Sequence, residues 1–214
     1  MAAITRLIDT GLERLKNIVL DMAHHSEKTV ATAIDAFMEG KDVSSKIFSS
    51  SEELRMLQEE ASELAIELIA RYQPVASDLR FIKSCMEIAY GFSRFGRYAY
   101  DIAQVLPMLG DVSGCDKSAI VEAGERTLEM IRLSIKAFVE RDVELASRLR
   151  VMDQAVDDIY SNYVRGVVRS SYSDVKCALC GTLILRYLER IADHATYIGE
   201  SVLYIVSGAK VTRR

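Results

Sequence analysis

The chain contains no tryptophan and only two prolines in 214 residues. So little proline leaves long stretches with every backbone donor intact, which suits helices. There is no excess of basic charge; the net charge of -4 argues against a nucleic-acid binder, which needs a basic face, although it leaves room for a local basic patch. The one terminal basic group, Lys210, Arg213 and Arg214, reads as a solvated tail. Four cysteines in a chain of this size suggest no disulfide framework. No apolar run approaches the roughly 18 to 20 residues that span a bilayer. The opening residues, 1–9, lack the basic region and apolar block of a signal peptide, so a soluble, cytoplasmic protein is expected. Phosphate-binding glycine loops, nucleophile elbows and dinucleotide fingerprints are all missing, which weighs against an NTPase, a hydrolase or a dehydrogenase.

What is there is helical. Half of the residues are hydrophobic, enough to bury a core, and Ala, Leu, Glu, Arg, Ile and Met are plentiful. Apolar residues recur every three to four positions. A first helix carries Ile4, Ile8, Leu12, Leu15, Val19, Met22, Val30, Ile34 and Phe37, and breaks at Gly40. Asp42 caps a second, with Ile47, Leu54, Leu57, Leu64 and Leu68, which stops before Pro74. Pro74 opens a third, running through Leu79, Ile82, Met86 and Phe92 to about Leu109. Gly110-Asp111-Val112-Ser113-Gly114 reads as a linker. A fourth helix spans about Asp116 to Glu140, a fifth begins near Asp142, and Ser170-Ser171-Tyr172-Ser173 forms a turn. A sixth runs from about Asp174 to Val206, short of Gly208. Alternating strand patterns flanked by hairpin turns are missing.

The second half repeats the first. Asp42 falls on Asp142, Glu53 on Asp153, Asp78 on Asp174, and Arg94 on Arg190. Helices of about 30 residues are about 45 Å long and, joined by short turns, must run up, down and up. The predicted fold is therefore all-α, two tandem three-helix bundles related by internal duplication. Their bounds are 1–110 and 115–208, followed by the basic tail 209–214. The alternative is six helices in one irregular bundle.

Charge separates the two copies. Asp153 and Asp157 are four apart on the fifth helix, and Glu189 and Asp193 are four apart on the sixth, with His194 beside them. Residues at that spacing share a helix face. If the two faces meet, four carboxylates converge and demand a cation or protons. Carboxylate oxygens suit hard cations, iron or manganese. The plainer reading is a solvated acidic face neutralised by Arg186 and Arg190. In the first copy, Ser93, Arg97 and Leu57 stand where Glu189, Asp193 and Asp157 stand in the second. Arg94 and Arg190 occur in both and read as framework. Cys177-x-x-Cys180 and Cys85 read as small core residues inside helices rather than zinc or redox ligands. His24 and His25 point about 100° apart on a helix and form no two-ligand clamp. Gly91 and Gly96 suggest close helix contact.

Gln73-Pro74-Val75-Ala76-Ser77-Asp78-Leu79-Arg80, followed in the second half by Leu188-Glu189-Arg190-Ile191-Ala192-Asp193-His194-Ala195, resembles the PhoU family of phosphate-uptake regulators along essentially the whole chain. The resemblance implies two three-helix bundles, a cytoplasmic location, homodimers and no enzymatic turnover. It implies an adaptor that restrains an ATP-driven phosphate transporter through its ATPase subunit and passes its state to a sensor kinase, touching membrane complexes only peripherally. It also implies a metal ion or cluster, iron or another divalent cation, at Asp153, Asp157, Glu189, Asp193 and His194, in the second bundle only. Two other functions fit the residues: a carboxylate-bridged metal enzyme acting on oxygen or phosphoesters, and a similar regulatory module serving another ion transporter.

Overall fold

The computed structural model describes residues 6–169 and 174–209. The expected turn at 170–173 and nearly all of the basic tail lie outside the described residues. The described residues form seven helices: α1 (Asp9–Glu39), α2 (Ser44–Tyr72), α3 (Ala76–Ala103), α4 (Val105–Leu109), α5 (Ser118–Glu140), α6 (Val143–Arg169) and α7 (Val175–Ser207). Helices α1, α2 and α3 pack on one another as one bundle, and α5, α6 and α7 as the other. The bundles lie side by side, with α3 against α7 along their length and α1 touching α5. Phe81 of α3 and Phe138 of α5 stack across this boundary with ring centroids 6.4 Å apart. Among the described residues no strand occurs and no helix is long and apolar enough to cross a membrane.

Local chemistry explains where the helices begin and end. Asp42 accepts the Ser44 backbone N–H at 2.9 Å, and its counterpart Asp142 accepts those of Glu144 and Leu145 at 2.8 and 3.0 Å. Each bond satisfies a donor that the first turn leaves open. Asp174 does the same for α7, accepting from Lys176 and Cys177. Its counterpart Asp78 is used otherwise: it takes the Arg6 guanidinium at 2.6 Å. Gly40 and Gly208 end α1 and α7 in the left-handed conformation.

Three expectations need correction. The third predicted helix does not run unbroken to Leu109 but stops at Ala103, before the short α4. Pro107 has no N–H to return to the carbonyl of Ala103. Pro74 does not open α3, which starts at Ala76 after an extended Val75. Cys177 is not a core residue: it is half-buried and bonded to Cys115 in a disulfide spanning 62 residues. Cys85 and Cys180 are buried free thiols, as the pattern predicts.

The contact of α6 with α7 sets everything that follows. A Cβ on Gly199 would sit 2.8 Å from Leu149 Cδ1 and 2.9 Å from the carbonyl oxygen of Ala146. At the other end the Tyr163 ring lies directly over Gly181, and its hydroxyl donates to the Cys177 carbonyl at 3.1 Å. Both glycines let the axes approach where a side chain would wedge them apart. Replacing Gly199 with Ala is expected to destabilise the protein by about 1 to 2 kcal/mol, because overpacking against a backbone carbonyl outweighs the better helix propensity. A Cβ on Gly166 meets nothing within 4 Å. Gly166→Ala is therefore expected to stabilise by about 0.5 to 1 kcal/mol. Denaturant midpoints of the two variants check both signs.

Candidate functional site

The antiparallel register fixed at Ala146–Gly199 and Tyr163–Gly181 places position 153 opposite 191–192 and position 157 opposite 187–188. Asp153 therefore faces the gap between Glu189 and Asp193, one turn apart on α7. The four carboxylates meet electrostatically. Burial pushes the Asp153 carboxyl up to about 7, helped by repulsion from Asp157, Asp193, Glu189 and Glu200. Asp157 is raised by burial and then by Asp193 and Asp158, against the opposing pull of Arg186. Glu189 is raised by burial and Asp193, with Arg186 opposing. Asp193 is raised by burial although Arg190 and Arg186 oppose it. A cluster in which burial dominates every member is an anionic pocket short of positive charge.

Arginines supply part of what is missing. Arg186 Nη1 donates to Glu189 Oε1 at 2.6 Å and Arg190 Nη1 to Asp193 Oδ2 at 3.1 Å. Both pairs join residues three apart on α7, so they neutralise from the flank. The neutralising ion pairs of the plainer reading are thus present, but the face is only partly solvated, its four acids being half-buried. Asp153 Oδ1 and Glu189 Oε2 stay buried without a hydrogen-bond partner. An unpartnered buried carboxylate oxygen is costly and calls for a proton or a cation. The donor set is all oxygen, which fits a hard cation in kind. Among the described residues, no three His, Cys, Asp or Glu side chains stand in an arrangement that would close around a metal ion.

His194 is not with the acids. One residue along a helix is a turn of 100°, which carries it from the α6 side of α7 to the α3 side. Its buried ring sits among Tyr90, Tyr98 and Tyr197, with centroids 5.9, 5.9 and 5.4 Å away.

Tyr98 is a functional-looking residue on the α3 side of the seam. Its hydroxyl accepts from Arg94 Nη2 at 2.8 Å and from Arg190 Nε at 3.4 Å. The two repeat-related arginines thus converge on one phenol at the α3–α7 seam. Burial pushes that phenol up, but the two guanidinium hydrogen bonds more than offset it and the net direction is down. The repeat register was the available signal, since it pairs Arg94 with Arg190 on the two helices, α3 and α7, that pack together.

In the first bundle the corresponding face is dismantled. Arg97 pairs with Asp101 at 3.2 Å on the same helix, and Glu53 lies 3.3 Å from His25 Nε2. A cation at the place of Asp193 and an apolar Leu57 at that of Asp157 leave no anionic pocket there.

The sign of the pH dependence follows. In the fold Asp153 holds its proton up to about 7, against an ordinary value of 3.8. Between those values the folded state binds more protons than the unfolded, so stability falls as pH rises through that window. For the metal-free protein the loss from Asp153 is on the order of 1 to 2 kcal/mol once solvent screening of this partly exposed group is allowed for. Asp153→Asn is expected to flatten this part of the stability–pH curve and to be the more stable protein at pH ~8. Urea unfolding of both proteins at several pH values measures it; parallel curves would reject the assignment.

The PhoU domain profile matches residues 19–106 and 120–202, once in each bundle. A phosphate-specific transport system accessory protein PhoU homolog 1 of Methanothermobacter thermautotrophicus is 30% identical over 207 residues, covering 92% of this chain and 94% of its own. A second, from Thermotoga maritima, is also 30% identical, over 92% of this chain and 88% of its own. The crystal structure of PhoU from Pseudomonas aeruginosa superposes with a TM-score of 0.88 at 27% identity, covering 94% of this chain and 100% of that one. The structure of the Streptococcus pneumoniae phosphate transport system regulatory protein PhoU shares the fold at a TM-score of 0.88 and 21% identity. With a domain match in each half and relatives alike over nearly their full length, the chain belongs to the PhoU family.

Proposed function

We propose that this protein is a non-enzymatic, cytoplasmic regulatory adaptor of phosphate uptake. It restrains an ATP-driven phosphate transporter by contact with the ATPase subunit and relays the transporter's state to a sensor kinase, acting as a homodimer. The observation that carries this reading is near full-length similarity to proteins named as accessory proteins of phosphate-specific transport systems. The two bundles present long polar helical faces, α2 and α6 outermost, suited to a flat docking partner. Co-purification with the transporter's ATPase subunit tests the adaptor role. Association that changes between phosphate-rich and phosphate-poor growth is expected; no association under either condition would overturn it.

The acids on α6 and α7 serve in this reading as a metal centre of the second bundle. Asp153, Asp157, Glu189 and Asp193 would hold the ion, and His194, turned toward α3, would not. The support is the pair of orphaned oxygens, Asp153 Oδ1 and Glu189 Oε2, buried on facing helices. A divalent cation there supplies the positive charge that Arg186 and Arg190 provide only from one flank. It would clamp α6 to α7 and make the rigidity of the outer helix depend on metal. Elemental analysis of the purified protein and of the Glu189→Ala, Asp193→Ala double variant tests the assignment. Stoichiometric metal in the parent and its loss in the variant are expected; equal metal content in both rejects it. His194→Ala is expected to leave the content unchanged.

A further inference from the structure

The geometry points to Cys115–Cys177 as a thiol–disulfide exchange site, one that a small or protein dithiol opens and closes, and whose state governs how firmly the inter-bundle linker is held to α7.

Of the linker, residues 110–117, Val112 alone is buried in the core; the rest is exposed or half-buried. Toward the first bundle, Lys117 Nζ donates to the carbonyls of Phe37 and Met38 at the end of α1, at 3.4 and 3.3 Å. Toward the second, Lys176 Nζ donates to the Asp111 carbonyl at 3.2 Å and Cys115 is bonded to Cys177. Beside it lies a cavity of about 550 Å3, lined by Gly110, Asp111, Val112 and Ser113 together with Met38 and Pro107. With one buried side chain and an open groove beside it, the segment gains little more from packing, so its position depends on Val112 and on its tethers. The disulfide is the one covalent tether, and it joins the segment to the first turn of the helix that carries Glu189 and Asp193.

The site is accessible to exchange. Cys115 and Cys177 are both half-buried, whereas Cys85 and Cys180 are buried thiols. Burial pushes the Cys85 thiol up to about 12 and raises that of Cys180 as well, although Lys117 opposes it there. Neither is a thiolate ready to attack the bond from within, even though Cys180 follows Cys177 by one turn. The attacking group must come from outside. Its thiolate displaces one cysteine sulfur to form a mixed disulfide, and its second thiol resolves that bond. The protein gains two electrons and two protons as two thiols, and the dithiol leaves as its disulfide. The Asp174 carboxylate, 3.3 Å from Cys177 Sγ, is placed to accept the new S–H. The first bundle has no counterpart, because the position matching Cys177 is the buried Phe81. In a cytoplasmic protein such a bond is transient and sensing rather than permanent.

The test uses the native full-length protein, with dithiothreitol and its oxidised form as the probe pair. Alkylation and mass spectrometry are expected to find no accessible thiol in the oxidised protein and two, Cys115 and Cys177, after reduction, with Cys85 and Cys180 still protected. Oxidised dithiothreitol is expected to restore the first pattern. Amide exchange at 110–117 and 174–181 is expected to speed by roughly tenfold or more on reduction, with α1 and α2 unchanged. The Cys115→Ser variant is expected to show the fast exchange under both conditions. Resistance to reduction without denaturant, labelling of all four cysteines on reduction, or exchange that ignores the redox state would each overturn the proposal.

Discussion

The close approach of α6 and α7 is the constraint on which the second bundle depends. Two helices meeting through Gly199 on the Ala146 carbonyl and through Tyr163 over Gly181 have no freedom to slide. A shift of one turn would move each contact by about 5.4 Å and drive a larger side chain into the space that glycine leaves. The register held in this way gives the acids their heights. Asp153 is not drawn toward Glu189 and Asp193, since every one of these groups repels the others. It is held there by apolar contacts above and below, including the fully buried Leu149 and Val156 on α6 and Leu188 and Ile191 on α7. Packing imposes the electrostatic strain, and the strain in turn makes the place selective for positive charge.

The duplication has been used asymmetrically. Both halves cap their second helix with the same aspartate, and both contribute one arginine to the Tyr98 hydroxyl at the seam. These shared features hold the scaffold. Where the copies differ, a different job is done. Asp174 caps a helix while Asp78 binds Arg6. Asp193 lies in a buried cluster while Arg97 at the same place pairs outward with Asp101. Cys177 tethers the linker while Phe81 stacks on Phe138. The two bundles are joined along α3 and α7, so α7 carries the acids on its α6 side and the Tyr98 seam on its α3 side.

Much of this was legible in the sequence because it is local. Helical spacing, the capping aspartates, Gly40 and Gly208 all act within one turn of themselves, and they marked the six long helices to within a few residues. The internal repeat carried the tandem arrangement. Three things were hidden for definite reasons. The break at Ala103 follows from a proline four residues on, whose missing donor was outweighed by an unbroken apolar stripe. The Cys115–Cys177 pair joins a loop to a helix start 62 residues away, and no local pattern specifies such a partner. His194 was grouped with the acids by adjacency, although neighbours on a helix face different directions. The acids themselves were visible as pairs on single helices. Their meeting was not, since it depends on which residues of α6 and α7 are small enough to touch.

The arginines show why the cluster is poised rather than quenched. Arg186 and Arg190 extend from α7 itself, and Arg186 takes Glu189 Oε1 but leaves Oε2 buried without a partner. Arg190 is further held by Tyr98 on the opposite helix. A guanidinium tied at both ends cannot swing inward to satisfy Asp153 without giving up the seam. The two orphaned oxygens, Asp153 Oδ1 and Glu189 Oε2, are left to a proton or a cation. Arg190 therefore links an acid of the α7 cluster to Tyr98 on α3, through two hydrogen bonds.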